Sequence, residues 1–152
     1  MEKTNLFRVA EIQVSYNPKI KLSQCPQITK STDIYDLFRS RWDMDRIEFV
    51  EQCKMALLNH KMKVIGMYDL STGGRTGTIV DPRLVFGIAL KTNATGVIIC
   101  HNHPSGNLKA NQMDINLTKK LVAGGLLLDI SLIDHMIITR DGFYSFDLEG
   151  ML

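Results

Sequence analysis

The sequence predicts one α/β domain, in which helices flank a mixed β-sheet. Two observations lead to this fold class. Apolar segments with the two-residue alternation of strands are interleaved with segments that have the spacing of helices. The chain has 152 residues, of which 45% are hydrophobic, and these values are typical of one domain with one buried core. We divide the chain into a short N-terminal extension of a strand plus a helix packed on the domain, residues 1–44, and the domain itself, residues 45–152.

Composition excludes several classes of function. The net charge of +2 comes from 18 basic and 16 acidic residues without a basic run, which argues against a nucleic-acid partner. No apolar segment approaches the roughly 18 residues that cross a bilayer, and the first residues lack the apolar core of a signal peptide. The widely spaced cysteines, Cys25, Cys53 and Cys100, are typical of reduced thiols. We therefore expect a cytoplasmic protein with no membrane partner.

The first half of the chain is predicted to contain three strands and one helix. Alternating apolar residues indicate the strands, and a hydroxyl side chain can cap the helix. The segment Ser71–Gly77 is expected to be a flexible loop, and it lacks the Gly-Lys-Ser/Thr ending of a phosphate-binding loop. The predicted elements are a strand over Leu6–Tyr16, a helix from Ser31 or Thr32 to about Trp42, and strands over Glu48–Leu58 and Val64–Leu70.

The second half of the chain is predicted to alternate between helices and strands. Asp81 followed by Pro82 is the pattern of a helix start. The apolar run Gly96–Cys100 indicates a buried central strand, and the closing segment around Arg140-Asp141-Gly142 indicates a hairpin. The remaining predicted elements are a helix from about Asn111 to Ala123, which Gly124-Gly125 weaken or end, and the hairpin strands Leu132–Thr139 and Phe143–Phe146.

Two histidines and a carboxylate are predicted to meet where the buried strand ends. His101 and His103 are two residues apart, so both rings project to one face if the strand continues through them. Pro104 and Gly106 then turn the chain, and Asp114 follows in the first turn of the next helix. These side chains would give a zinc ion three ligands and leave a fourth position for water, which is the arrangement of a catalytic site.

Spacing alone also allows a structural interpretation of the same residues. A His-x-His pair can end a strand without binding anything, while Asn111 is a favoured helix N-cap with Asp114 at the third helical position. A catalytic site also needs a general base, for which Glu48 and Glu51 are the upstream candidates. The combination of a buried strand, a sharp turn and a carboxylate at the next helix entrance favours the metal site.

Several motifs resemble those of a known family. The run His101–Gly106 followed by Asp114 resembles the JAMM (MPN-type) metalloprotease signature, and it is most similar to that of the RadC-like JAB domain. The resemblance covers about Asp45 to Leu152. It implies the cytidine-deaminase-like JAB/MPN architecture. The further motifs that fit this family in order are Val80-Asp81-Pro82-Arg83, Leu132-Ile133-Asp134-His135, Phe143-Tyr144-Ser145-Phe146 and Glu149-Gly150.

The resemblance also implies roles for individual residues. It implies that His101, His103 and Asp114 bind zinc, and that Glu51 holds and deprotonates the water that the zinc activates. Glu51 fits the family's glutamate better than Glu48, which is the fallback. Downstream, Asp134 and His135 can orient a ligand histidine, although a structural role on a strand is the better interpretation of both.

One departure from the signature affects the expected activity. Where the family has a serine that is thought to stabilise the oxyanion, this chain has Asn111, which can donate a hydrogen bond from a different position. We expect zinc binding to survive this change and peptidase activity to be weakened. The first hypothesis is a zinc-dependent peptidase or isopeptidase; the others are a non-catalytic interaction module and a DNA-repair accessory protein. The DNA-repair hypothesis depends on the family resemblance alone, because the sequence lacks the basic surface expected for contacts with phosphates.

Overall fold

The computed structural model describes residues 7–74 and 77–152, and it confirms the predicted α/β fold class. A five-stranded mixed sheet has the strand order 2-1-3-4-5, in which strands 3 and 4 are parallel and the other neighbours are antiparallel. The elements in chain order are α1 (Ser31–Arg41), β1 (Gln52–Leu58), β2 (Val64–Thr72), α2 (Pro82–Lys91), β3 (Gly96–Asn102), α3 (Gln112–Leu128), β4 (Ser131–Ile138) and β5 (Phe143–Ser145).

The sheet separates two hydrophobic clusters, and β3 contributes to both. Every residue of β3 is buried. Ile98 and Cys100 pack in the cluster that includes α1, while Val97 and Ile99 pack in the cluster that includes α2 and α3. Since side chains alternate along a strand, the histidine at position 101 faces α3 and the next residue faces α1. The protein is therefore a three-layer arrangement with β3 at its centre.

Local capping explains where the first two helices begin. The Asp81 carboxylate accepts a hydrogen bond from the Arg83 amide at 2.9 Å, and Pro82 occupies the first helical position, as predicted for α2. Helix α1 also forms as predicted, but neither Ser31 nor Thr32 is its cap. The carboxylate of Asp33 instead accepts hydrogen bonds from main-chain amides just before the helix.

The predicted strand over Leu6–Tyr16 is wrong for residues 7–16, and Leu6 lies outside the described residues. These residues form no strand, although their apolar side chains alternate. The side chains of Val9, Ile12 and Val14 are largely exposed, so no sheet covers them. An alternating pattern produces a strand only where a neighbouring strand and a core are within reach.

The two glycines in α3 do not end the helix, which continues to Leu128. They allow close packing instead. A Cβ at Gly124 would lie 2.8 Å from the ring of Phe86, and a Cβ at Gly125 would collide with the main-chain oxygen of Ile130. The predicted end near Ala123 is therefore wrong, because both glycines meet tertiary neighbours that local sequence does not reveal.

Strand β1 is shorter than the predicted strand Glu48–Leu58, because it begins at Gln52 and residues 48–51 lie before it. Ser71 and Thr72 complete β2, and residues 75 and 76 of the predicted loop lie outside the described residues. Helix α1 packs on the sheet through Phe38, which is fully buried.

The division of the chain at residue 44 stays a prediction. Among the residues that the structure describes, no helix combines the length and apolar character needed to cross a membrane.

Candidate metal centre

Two imidazole rings and a carboxylate converge where β3 ends. His101 is in β3 and His103 follows it by two residues; their Nε2 atoms lie 3.0 Å apart. The Asp114 carboxylate, from the first turn of α3, reaches both rings. Its Oδ1 lies 3.0 Å from Nε2 of His101, and its Oδ2 lies 3.2 Å from Nε2 of His103. All three residues are buried, and the structure brings together the three residues that the sequence predicts as metal ligands.

Strand register brings Glu51 to the same place. Cys53 pairs with His101 across β1 and β3, so Glu51, two residues earlier, continues toward His103 on the same face. Ligand atoms of Glu51, His101 and His103 lie within 4.8 Å of one another, and the group could hold a metal ion. Glu48 lies elsewhere, because it accepts a 2.6 Å hydrogen bond from Arg140 at the surface.

The donor set fits a small divalent metal. The two Nε2 atoms lie 3.0 Å apart, and each lies 3.0 or 3.2 Å from a different oxygen of the Asp114 carboxylate. Bonds of about 2.0–2.1 Å to zinc in a tetrahedral arrangement set neighbouring ligand atoms roughly 3.3 Å apart. Imidazole nitrogen and carboxylate oxygen are also common ligands of first-row divalent metals. The spacing and the chemistry of these atoms therefore both suit a metal centre.

Each histidine has a second partner on its far nitrogen. Nδ1 of His103 lies 2.7 Å from the main-chain oxygen of Asn107. A carbonyl can only accept, so Nδ1 carries the hydrogen and a neutral His103 ring has its lone pair on Nε2. Nδ1 of His101 lies 2.8 Å from Nε2 of His135, a third and fully buried histidine. Both rings are thus fixed in orientation by contacts outside the centre.

The electrostatics of the group favour a cation between its members. Burial opposes the charged form of Asp114, but its close contacts with His101 and His103 outweigh it and hold the pKa of this carboxyl well below its usual range. Burial likewise opposes a charge on His103, yet its hydrogen bonds to Asp114 and the Asn107 carbonyl raise its pKa. A metal cation between these atoms would neutralise the same carboxylate.

Glu51 is electrostatically different from Asp114. Burial is the largest influence on its carboxyl group and raises its pKa, while the neighbouring histidines act in the opposite direction. A carboxylate with a raised pKa is a better proton acceptor than an ordinary glutamate. The pKa of Asp114 is lowered and that of Glu51 is raised, which is the difference expected between a carboxylate that binds a cation and one that accepts a proton.

Asn102, between the two histidines, is a residue that the sequence reasoning missed. It is fully buried and faces the opposite side of the sheet. Its Oδ1 accepts from the Gln52 amide at 2.7 Å, and its Nδ2 donates to the main-chain oxygens of Ile47 and Val50 at 2.7 and 2.9 Å. These bonds hold the turn that carries Glu51. The sequence signal for this role was a polar residue that follows a buried apolar run and lies between the two histidines.

Asn111 and Asp114 serve the helix as well as the centre. Asn111 Oδ1 accepts from the Asp114 amide at 2.8 Å, and Asp114 Oδ2 accepts from the Asn111 amide at 2.9 Å. This reciprocal pair is a capping box, so the structural interpretation of both residues is also correct. The capping bonds orient the Asp114 carboxylate. The side-chain nitrogen of Asn111 has no hydrogen-bond partner within residues 7–74 and 77–152.

Two clefts meet at the centre, and Glu51 and Asn111 line both of them. One cleft runs between residues 77–80 and α3. The other runs along the turn after His103, past Ser105 and Asn107. Glu51 and Asn111 therefore lie where the two clefts join.

Two other predicted neighbours have structural roles. Asp134 accepts a 2.6 Å hydrogen bond from Ser145 and a 3.1 Å hydrogen bond from the Asp147 amide, and these contacts secure the C-terminal turn. Cys100 packs on the α1 side of the sheet, away from the centre, as the alternation of side chains predicts. All three cysteines are free thiols.

The fold and the buried His-x-His and carboxylate group define an α/β domain with a candidate metal centre at the end of its central strand. A family profile described as RadC-like JAB domain matches residues 28–151. The chain belongs to this family.

Three similar curated proteins are each called UPF0758 protein. That of Flavobacterium johnsoniae is 50% identical over 101 residues, or 66% of this chain and 44% of the relative. That of Clostridium novyi is 38% identical over 130 residues, or 81% and 57%. That of Clostridium beijerinckii is 31% identical over 149 residues, or 98% and 64%. The chain thus spans about half the length of these relatives.

Proposed function

We propose that this chain is a zinc-dependent hydrolase of peptide or isopeptide bonds. The observation that carries the proposal is the convergence of two Nε2 atoms and a carboxylate within 3.0–3.2 Å, with a second, chemically different carboxylate beside them. His101, His103 and Asp114 would hold the zinc. When bound, zinc polarises a carbonyl group and lowers the pKa of a water molecule to about 7.

Glu51 is the residue that we assign to proton transfer. Its buried carboxylate, with a raised pKa, accepts a proton from the attacking water and delivers it to the leaving nitrogen. Asn111 lies where the two clefts meet, and its side-chain nitrogen is available to donate a hydrogen bond to the developing oxyanion. The clefts would hold the substrate chain on either side of the cleaved bond.

Metal analysis tests the first half of the proposal. The purified wild-type chain should carry about one zinc ion, and His101→Ala together with His103→Ala should abolish binding. A chelator-free preparation that contains no zinc and takes none up would refute the metal centre. Glu51→Gln separates binding from chemistry, because it should keep the zinc and lose about 10²–10⁴-fold in hydrolysis of a peptide library.

A second candidate, a non-catalytic interaction module, is favoured by Asn111 alone. The wild-type chain and Asn111→Ser should be compared on the same peptide library. Higher activity in the serine variant would support a hydrolase weakened by the asparagine. Zinc in both proteins with hydrolysis in neither would support the module.

We place the protein in the cytoplasm and give it no nucleic-acid partner. The free thiols support a reducing compartment, and the small net charge of +2 offers little attraction to phosphates. The DNA-repair alternative predicts binding to nucleic acid, so the absence of a salt-dependent shift with single- or double-stranded DNA would count against it.

A further inference from the structure

A line of buried hydrogen bonds links His101 to the backbone of α3. His135 lies on β4 opposite Ile99 and is fully buried. Its Nε2 lies 2.8 Å from Nδ1 of His101, and its Nδ1 lies 2.7 Å from Oγ1 of Thr118. The Thr118 hydroxyl in turn lies 2.9 Å from the main-chain oxygen of Asp114. The line therefore starts beside the metal centre and ends on another residue of the centre.

The donors and acceptors along this line can be assigned from its ends. The Asp114 carbonyl has no hydrogen to give, so the Thr118 hydroxyl donates to it. The Thr118 oxygen then accepts from Nδ1 of His135. A neutral imidazole carries one N–H, so Nε2 of His135 accepts the hydrogen on Nδ1 of His101. Only this arrangement leaves a lone pair on Nε2 of His101, the atom that faces Asp114 and His103.

We propose that His135 is a positioning residue for the metal centre: with Thr118 and the Asp114 carbonyl, it fixes His101 in the tautomer and ring orientation that bind a metal. This inference rests on the metal binding proposed above and gives a role in that binding to a residue outside the ligand set. Of the two roles that the sequence allowed for His135, it favours the orientation of a ligand histidine over a purely structural role. Partners of this kind typically contribute 10- to 100-fold to metal affinity.

Zinc affinity of the full chain, measured by competition with a chromophoric chelator, tests the proposal. His135→Leu should bind zinc about 10- to 100-fold more weakly. His135→Gln should recover most of the loss, because its amide can accept from His101 and donate to Thr118. Phe146, whose ring stacks on His135 at a centroid distance of 4.7 Å, provides the packing control. Phe146→Leu should disturb the same region and leave zinc affinity within a few-fold of wild type.

Long-range ¹H–¹⁵N spectra of the wild-type chain provide a readout that needs no variant to fold. With only four histidines in the sequence, the rings can be assigned individually. His135 should be protonated on Nδ1 and not on Nε2, with and without zinc. Protonation on Nε2, or a folded His135→Leu with wild-type zinc affinity, would overturn the inference. Failure of the metal proposal looks different, because the wild-type chain itself would then bind no zinc.

Discussion

Replacement of Asn102 with alanine tests how the protein holds Glu51 beside the histidines. The side chain is fully buried and makes three hydrogen bonds to main-chain groups, two in the turn before β1 and one at Gln52, the first residue of β1. Each such bond contributes about 0.5–1.5 kcal/mol, and the groups left behind lose their partners inside the protein. Since two of these bonds are only partly buried, water can compensate in part. We expect Asn102→Ala to lower the free energy of unfolding by about 2–4 kcal/mol.

The same change should affect catalysis more than zinc binding. Asn102 contacts the residues on either side of Glu51, whereas His103 and Asp114 are held by other contacts. A displacement of about 1 Å in a catalytic group can cost about 10²-fold in rate. Peptide hydrolysis should therefore fall by that order while zinc content stays near one ion per chain.

Urea unfolding, zinc analysis and hydrolysis of the peptide library, all on the same preparation, provide the assay. For stability, the matched control is Asn116→Ala, because Asn116 is exposed on α3 and bonds only to Gln112 among the residues in the structure. This control should change stability by less than about 0.5 kcal/mol. If Asn102→Ala were as stable as the control, the hydrogen bonds would not hold the turn. If the zinc content of Asn102→Ala fell more than its rate of hydrolysis, Asn102 would support the strand that carries the histidines rather than Glu51.

Three further predictions concern the glycines and pH. Gly125→Ala should destabilise the protein by about 1–3 kcal/mol in urea unfolding, since its Cβ would collide with the Ile130 carbonyl. A Cβ at Gly87 on α2 would meet open space, so Gly87→Ala should stabilise the protein by about 0.5–1 kcal/mol. The same change in unfolding free energy for both variants would show that the contact of Gly125 with Ile130 does not matter for stability. Zinc affinity should fall with falling pH, starting above the ordinary histidine pKa of 6.5, because the raised pKa of His103 means that zinc must displace a proton there. Calorimetry in buffers of different ionisation enthalpy should show proton release on binding, and a pH-independent affinity would contradict this reasoning.

Local sequence signals predicted the elements around the site well. Asp81-Pro82 starts α2, and the apolar run before His101 is the central strand. These elements are determined by neighbours a few residues away, which a single sequence displays. The convergence of His101 and His103 follows from strand alternation, and the approach of Asp114 follows from the helix entrance.

The parts that could not be predicted depend on distant contacts. Val14 alternates with other apolar residues as in a strand, yet no strand among the described residues lies beside it to complete the ladder. Gly125 resembles a helix stop, but its missing side chain admits the Ile130 backbone. Asn102 bonds to residues some 50 positions earlier in the chain, and His135 reaches His101 across 34 positions. Pairings over such distances require the fold itself.

The capping role of Asn111 has a consequence for how this domain can evolve. Asparagine and serine are about equally good at a helix N-terminus, so exchange of one for the other leaves α3 and the Asp114 carboxylate in place. A lineage can therefore retune or abandon its chemistry at this position with little selection from folding. The buried histidines allow no such drift, since each is tied to partners on both ring nitrogens. Divergence of activity among related domains should accumulate at the helix entrance while the strand that carries the histidines stays unchanged.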